Sequence, residues 1–145
     1  MANRSRAREV ALQLLFQRDH NSVVDRAGVE RFAHDRLADP DLRSFCLTLY
    51  DGVVNHAEEI DQRLTQAAEN WRLPRMAGVD RNVLRLGAFE LLFSIETPAG
   101  VVLNEAIELA RRFGSADSPG FVNGVLDQIR RSVSPPMESE SPKGN

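Results

Sequence analysis

Apolar residues recur at helical spacing along almost the whole chain, and runs of β-branched residues are few. When the first segment is placed on a helix, with roughly 100° between successive residues, its apolar side chains fall on one stripe. This stripe contains Ala7, Val10, Ala11, Leu14 and Leu15. Because a half-buried strand needs an apolar period of two residues, this spacing argues against a sheet. The sequence therefore predicts an all-α fold.

Seven helices account for the pattern. The pairs Asp39–Pro40 and Ser118–Pro119 predict helix starts, since Asp and Ser cap helices and Pro suits the first turn. Gly114 predicts a left-handed helix end. The fifth helix carries more apolar residues than one stripe needs, so we expect it to be central and the most buried. The expected helices span about Ser5–Asp19, Asp25–Leu37, Pro40 to a break near Asn55, that break to Pro74, Val79–Ile95, Val101–Phe113 and Ser118–Arg131.

Gly87 in the fifth predicted helix and Gly124 in the seventh both lie in mid-helix. Glycine in mid-helix costs about 1 kcal/mol relative to alanine. A helix accepts this cost where another backbone must approach closely. We therefore expect the fifth and seventh helices to cross closely at these two positions.

The length of 145 residues is typical of one domain. We expect one helical domain over residues 1–131, with a basic arm at residues 1–8, and a disordered Ser- and Pro-rich tail at residues 132–145. The single cysteine, Cys46, has apolar neighbours and is expected to be buried in a reducing compartment. Neither an 18-residue apolar run nor a signal-peptide core is present, which predicts a cytoplasmic protein without a membrane segment.

Basic charge is concentrated at the N-terminus. Residues 1–8 contain Arg4, Arg6 and Arg8 and no acid, whereas the rest of the chain has 15 basic and 21 acidic side chains. Arginine can hold a phosphate through two hydrogen bonds or lie flat on a base, so this cluster favours RNA as a ligand. A solvated arm remains the alternative, because Arg outnumbers Lys 17 to 1 throughout the chain.

Catalytic and metal-binding patterns are lacking. The histidines His20, His34 and His56 share no metal-ligand spacing with Cys46. No phosphate-binding glycine loop or nucleophile elbow is present. Glu105 and Glu108 lie three residues apart on the sixth helix, and we interpret them as a solvated helix face rather than an acid–base pair. The sequence therefore predicts a protein that is not an enzyme and binds no cofactor.

Two further features suit a binding surface. Leu12 and Phe16 point away from the main stripe of the first helix, on the side of Arg8, so they form either a second core contact or a partner surface. The turn at residues 114–118 places small hydroxyls and Asp117 at a helix N-terminus. That turn either caps the helix or accepts a phosphate or base edge.

Several segments together resemble a known family. The segments NEAIELA, at residues 104–110, and FVNGVLD, at residues 121–127, form a highly specific pairing. The other matching positions are Arg4, Arg6, Ala7, Arg8, Glu9, Ala11, Leu15, Val83, Leu84, Arg85, Ala88, Glu90, Leu91, Phe113 and Gly114. With these residues, nearly the whole chain apart from the second-helix region and the tail resembles the NusB family of bacterial transcription antitermination factors.

The resemblance implies a seven-helix, all-α fold of two small helical subdomains without catalysis. It implies binding to the boxA element of ribosomal RNA leader transcripts together with NusE, a small-subunit ribosomal protein. The complex then joins other Nus factors and RNA polymerase to suppress Rho-dependent termination. Carried onto matching positions, the family's RNA contacts are Arg4, Arg6, Arg8, Asp117 and Phe121, and its NusE contacts are Phe16, Asp80 and Arg81.

Two other readings compete with this one. NusB-like domains also occur at the N-terminus of some ribosomal RNA cytosine methyltransferases, but this chain has no room for a nucleotide-cofactor domain. The second alternative is a helical scaffold or homodimer without sequence-specific RNA binding, in which Phe16 and Leu12 would lie in the dimer interface.

Overall fold

The computed structural model describes residues 2–21, 24–69, 72–94 and 96–133. Across these ranges the chain forms seven α-helices and no strand, which confirms the all-α prediction. A short 3₁₀ turn at Leu73–Arg75 precedes the fifth helix. Nearly all of the expected tail, residues 134–145, lies outside the described residues. The helices are α1 Ala2–His20, α2 Arg26–Arg36, α3 Pro40–Asn55, α4 Ala57–Ala67, α5 Gly78–Phe93, α6 Ala99–Phe113 and α7 Ser118–Val133.

The basic N-terminal segment belongs to a helix. α1 begins at Ala2, three residues before the predicted start, so Arg4, Arg6 and Arg8 project from one rigid element. Arginine is a good helix former, and a helical segment holds these side chains at defined angles around its axis. The expected arm is therefore the first turns of α1.

The turn between α6 and α7 differs from the prediction. Gly114 has φ −100°, so it is not left-handed. A Cβ at this position would lie 2.5 Å from Ser118 Oγ and 2.8 Å from the carbonyl oxygen of Ala110, which explains the glycine by close approach. Ser118 is the first residue of α7 rather than its cap, and its hydroxyl accepts a hydrogen bond from the backbone N–H of Ser115 at 2.9 Å.

α5 is the central helix, as its apolar content predicted. It contacts α1, α3, α4, α6 and α7, and eight of its residues are buried. α1, α2 and α3 pack on one another to form one group, and α4 to α7 form a second. A single cluster of buried apolar side chains runs through both groups. The two subdomains therefore share one core around α5.

The prediction that α5 and α7 cross closely at two glycines is correct for Gly87 and wrong for Gly124. A Cβ on Gly87 would lie 2.6 Å from Leu126 Cδ1, so α5 and α7 do approach closely there. Gly124 has nothing within 4 Å of the corresponding position and faces solvent. A third glycine, Gly52, places the backbone of α3 directly against the ring of Phe89 on α5.

Cys46 is fully buried on α3, as its apolar neighbours predicted. Burial raises the pKa of its thiol to about 12, and the negative charge of Asp51 adds to this effect. The thiol is therefore protonated at neutral pH and behaves as a small apolar side chain.

A polar network attaches the C-terminal end of α1 to α5. Asp19 accepts hydrogen bonds from Asn82 at 2.9 Å, from Arg81 at 3.1 Å and from Arg85 at 3.1 Å. Arg85 also donates two hydrogen bonds to Asp61 on α4. Burial acts to raise the pKa of the Asp19 carboxyl, but these hydrogen bonds and the two guanidinium charges outweigh burial and lower it.

We expect Gly52→Ala to destabilise the protein. The new methyl group would meet the buried ring of Phe89, and overpacking of this kind costs about 1–3 kcal/mol. Gly124→Ala is the matched control, and we expect it to stabilise the protein by about 0.5–1 kcal/mol because its surroundings are open. Urea denaturation of both variants measures the difference. Equal stabilities would contradict the close contact between α3 and α5.

We expect Asp19→Asn to lower the midpoint of thermal unfolding at pH 7 and to make that midpoint depend less on pH in the acid range. The pKa of Asp19 is lower in the folded protein than in the unfolded chain. Its carboxylate therefore contributes fully to folding stability above the unfolded-state pKa of about 3.9, and this contribution is lost as pH falls through the folded-state pKa. Thermal unfolding from pH 7 to pH 2 tests this, with Asp35→Asn on the exposed face of α2 as the control. An unchanged pH profile in Asp19→Asn would count against the network.

Candidate nucleic-acid interface

Arg8, one of the three predicted RNA contacts, is buried. Only 4% of the residue is exposed, and its guanidinium donates hydrogen bonds to Glu90 Oε2 at 2.7 Å and Oε1 at 2.8 Å. The carboxylate of Glu105 lies 3.8 Å away. Burial alone would lower the pKa of Arg8, but the hydrogen bond and charge of Glu90 and the charge of Glu105 raise it. Glu90 therefore occupies the Arg8 guanidinium, and direct contact of Arg8 with RNA stays a prediction.

Arg4 and Arg6 remain exposed but lie on different sides of α1. The guanidinium carbon of Arg4 lies 4.0 Å from the ring centroid of Phe45 on α3. Arg6 pairs with Glu9 at 3.0 Å, and Glu9 also pairs with Arg112 at the end of α6, at 3.2 Å. The structure therefore joins Arg6 to a second exposed arginine, Arg112.

Sequence reasoning missed Arg112, which lies 103 residues from Glu9. Its position in the last turn of α6 suggests only a favourable interaction with the helix dipole. Its proximity to Arg6 follows from the packing of α1 near α6 and from no feature of the local sequence.

Of the two interpretations given for Leu12 and Phe16, the core contact applies to Leu12, whereas Phe16 is exposed, as a partner surface requires. Leu12 is 4% exposed and belongs to the core, whereas Phe16 is 38% exposed. Phe16 lines a shallow groove of about 150 Å³ with Val79 and with Phe113, another exposed aromatic ring. A paired aromatic surface of this kind is typical of protein interfaces.

The groove contains an unpaired polar atom. Gln13 lines it beside Phe16, and its side-chain oxygen is buried without a hydrogen-bond donor among the described residues. An unpaired buried acceptor costs free energy. The groove therefore offers mainly apolar contact.

Asp80 and Arg81, which are adjacent in sequence, have different roles in the structure. The Arg81 guanidinium donates to the carbonyl oxygens of Leu73 and Met76 and to the Asp19 carboxylate. Arg81 thus holds the 3₁₀ turn and α1 in place. Asp80 lines a pocket, and its Oδ1 is buried without a donor among the described residues. Asp80 is therefore the member of the pair that has an unused acceptor.

The same pocket contains both remaining predicted RNA residues. Asp117 and Phe121 line it with Asp80, Arg75 and Ser115, and its volume is about 250 Å³. Asp117 is exposed at the start of α7, and Phe121 packs partly against the core. The structure thus brings together residues that the sequence assigned to two different partners.

We call these neighbouring features together the α1–α6–α7 face. It runs from Arg6 and Arg112, through the groove of Phe16 and Phe113, to the pocket of Asp80 and Asp117. Glu9 bridges Arg6 and Arg112, and the Arg112 guanidinium lies 4.8 Å from the ring centroid of Phe113 in the groove. Val79 of the groove and Asp80 of the pocket are neighbours at the start of α5. Basic, apolar and acidic regions therefore follow one another across this face.

Glu105 and Glu108 do not form a carboxylate pair for acid–base chemistry. Glu105 accepts a hydrogen bond from Ser5 Oγ at 2.8 Å, whereas Glu108 pairs with Arg111 at 2.6 Å. Within the described ranges, no cluster of three metal-ligating side chains is present. Nor does any helix there combine the length and hydrophobicity needed to cross a membrane.

Known proteins are similar to this chain over most of its length. Residues 5–131 match the model of the NusB family. The chain is 44% identical over 133 residues to the transcription antitermination protein NusB of Sorangium cellulosum, covering 92% of this chain and 95% of that protein. It is 43% identical over 129 residues to the protein of the same name from Desulfatibacillum aliphaticivorans, covering 89% and 90%.

Solved structures agree with these sequence matches. The fold is similar to that of NusB from T. maritima, with a TM-score of 0.81, 35% identity and coverage of 93% of this chain and 94% of that one. It is also similar to a chain in a crystal structure of the antitermination factors NusB and NusE with double-stranded RNA, with a TM-score of 0.82, 28% identity and coverage of 91% and 98%. On the match across residues 5–131 and the identity to these relatives, the chain belongs to the NusB family.

Proposed function

We propose that this protein is a non-enzymatic transcription antitermination factor. Together with NusE it binds the boxA element of ribosomal RNA leader transcripts, joins other Nus factors and RNA polymerase, and suppresses Rho-dependent termination in the cytoplasm. The observation that supports this proposal is the α1–α6–α7 face, where exposed arginines, an aromatic groove and a polar pocket adjoin. Family membership supplies the identity of the partners.

RNA binding rests on the exposed arginines of this face. Arg6 and Arg112 have side chains that are nearly half exposed, and Arg4 adds a third cation on the other side of α1. Each phosphate contact on a single strand contributes about −0.7 to the log–log salt slope, so three contacts give a slope of only about −2. Affinity for RNA in the absence of a partner is therefore weak.

Sequence preference rests on the pocket at the start of α7. The Asp117 carboxylate repels phosphate, but it can accept a hydrogen bond from an amino group on a base edge. The ring of Phe121 lies at the same pocket. Asp117 therefore contributes to the choice of base rather than to overall affinity.

NusE binding rests on the groove. Phe16 and Phe113 offer apolar area there, and both rings are exposed. Bound NusE would lie beside Arg6, Arg112 and Asp117. NusE would then complete the RNA surface.

A homodimer without RNA specificity is the second candidate, because the same apolar groove could be covered by another copy of the chain. Sedimentation of the purified protein with and without NusE distinguishes the two candidates. A stable dimer that persists in excess NusE would favour the homodimer.

We expect Arg6→Ala and Arg112→Ala each to weaken binding of boxA RNA by the complex of this protein with NusE and to reduce the salt slope by about 0.7. Both side chains are exposed, so folding stability should change by less than about 0.5 kcal/mol. Arg31→Ala on α2 is the matched control, and fluorescence anisotropy over a salt series gives the slopes. Unchanged slopes in both variants would exclude these arginines as phosphate ligands.

Arg8→Ala should behave differently from Arg6→Ala. Removing one member of a buried ion pair costs about 3–5 kcal/mol, so Arg8→Ala should lower the thermal midpoint. The double variant Arg8→Met with Glu90→Leu should recover most of that stability and still bind RNA, because Arg4 and Arg6 are retained. Loss of RNA binding in the stable double variant would show that Arg8 contacts RNA directly.

We expect Phe16→Ala to weaken NusE binding at least tenfold, because exposed aromatic residues in interface grooves often contribute about 2 kcal/mol. Val101→Ala, an exposed apolar residue on α6, is the control. Isothermal titration calorimetry with NusE in the absence of RNA gives both affinities. Equal affinities for Phe16→Ala and Val101→Ala would place the NusE site elsewhere.

A further inference from the structure

A second cleft lies apart from the α1–α6–α7 face. It has a volume of about 610 Å³ and lies where the N-terminal end of α1, the start and middle of α3, and the end of α5 meet. Phe45, Phe89 and Phe93 line it, together with Arg4. The function proposed above makes no use of its three aromatic rings.

Phe93 is the exposed ring of this cleft. The residue is 36% exposed at the last position of α5. Its ring centroid lies 4.1 Å from that of His56 and 5.7 Å from that of Phe89, at interplanar angles of 30° and 26°. These two neighbouring rings restrict its orientation. Phe93 therefore forms a supported aromatic platform rather than a freely rotating side chain.

Charged and polar groups around the platform fit a nucleobase better than a phosphate. Arg4 supplies the positive charge at the cleft, whereas the carboxylates of Asp41 and Glu96 would repel an anion. The same carboxylates can accept hydrogen bonds from an exocyclic amino group, and the hydroxyls of Ser44 and Thr48 can donate or accept. An aromatic surface with hydrogen-bonding groups at its edge is how proteins hold unstacked bases of single-stranded RNA.

Arg4 connects this cleft to the proposed RNA site. Arg4 and Arg6 lie two residues apart, so on a helix they point roughly 200° from each other with a rise of about 3 Å. An RNA strand that passes over the N-terminal end of α1 can therefore reach Arg6 on one side and Arg4 on the other. Arg4 is held near the cleft by its contact with Phe45.

We propose that single-stranded RNA inserts one nucleobase into this cleft, where the base stacks on Phe93 while Arg4 holds the phosphate of the same or the adjacent nucleotide. This proposal rests on RNA binding at the α1–α6–α7 face and extends the bound strand beyond it. A base that carries an amino group is favoured, because Asp41 and Glu96 provide acceptors for it.

The experiment uses boxA-type RNA with 2-aminopurine placed at one position at a time, bound to the full-length protein with NusE. We expect one position outside the segment held by the α1–α6–α7 face to show quenched fluorescence from stacking. Phe93→Ala should abolish this quenching and weaken RNA binding about tenfold. Phe93→Trp should retain both, and Phe93→Leu should lose the quenching while it keeps apolar volume. Val133→Ala, another exposed apolar position, is the control.

The outcomes separate the two proposals. If the wild-type complex binds RNA, no position is quenched and Phe93→Ala binds equally well, the cleft proposal is wrong and the proposed function stands. If Phe93→Ala weakens binding of NusE without RNA, the cleft is a protein site and the RNA proposal is again wrong. If the wild-type complex binds no RNA, both proposals fail.

Discussion

The buried ion pair between Arg8 and Glu90 positions the N-terminal half of α1. Both side chains are almost fully enclosed, and their bidentate geometry satisfies the guanidinium within the core. Because either charge would be strongly unfavourable alone, the pair sets the rotation of α1 against α5. That rotation directs Arg6 toward α6 and Arg4 toward α3. Arg8 therefore stabilises the fold, whereas Arg4 and Arg6 remain available to bind a ligand.

A second polar network acts at the other end of α1. Hydrogen bonds from Arg81, Asn82 and Arg85 of α5 to Asp19 connect α5 to α1. Arg85 also connects α5 to α4 through Asp61. With both ends of α1 attached to α5, Phe16 is held beside Val79 and Phe113, and Asp80 is held beside Asp117. Charged residues of α5 thus stabilise the arrangement of α1, α4 and α5, and they leave the groove and the pocket open at the surface.

Helical spacing predicted the number and order of the helices well, because the apolar stripe of each is a local property. It also predicted that α5 is central and that Cys46 is buried. Prediction failed where a residue's role depends on a distant neighbour. Gly87 meets Leu126 but Gly124 meets nothing, and Gly114 is needed for the approach of Ser118 rather than for a left-handed turn.

By itself the sequence determined the all-α fold, the helix order and the family resemblance, since these depend on local spacing and on motifs such as NEAIELA and FVNGVLD. Only the tertiary structure decided which charged side chains are enclosed and which face solvent. Arg8 meets Glu90 across 82 residues, and Glu9 meets Arg112 across 103. The physical reason is that the cost of burying a charge depends on its partner in space, and no local pattern specifies that partner.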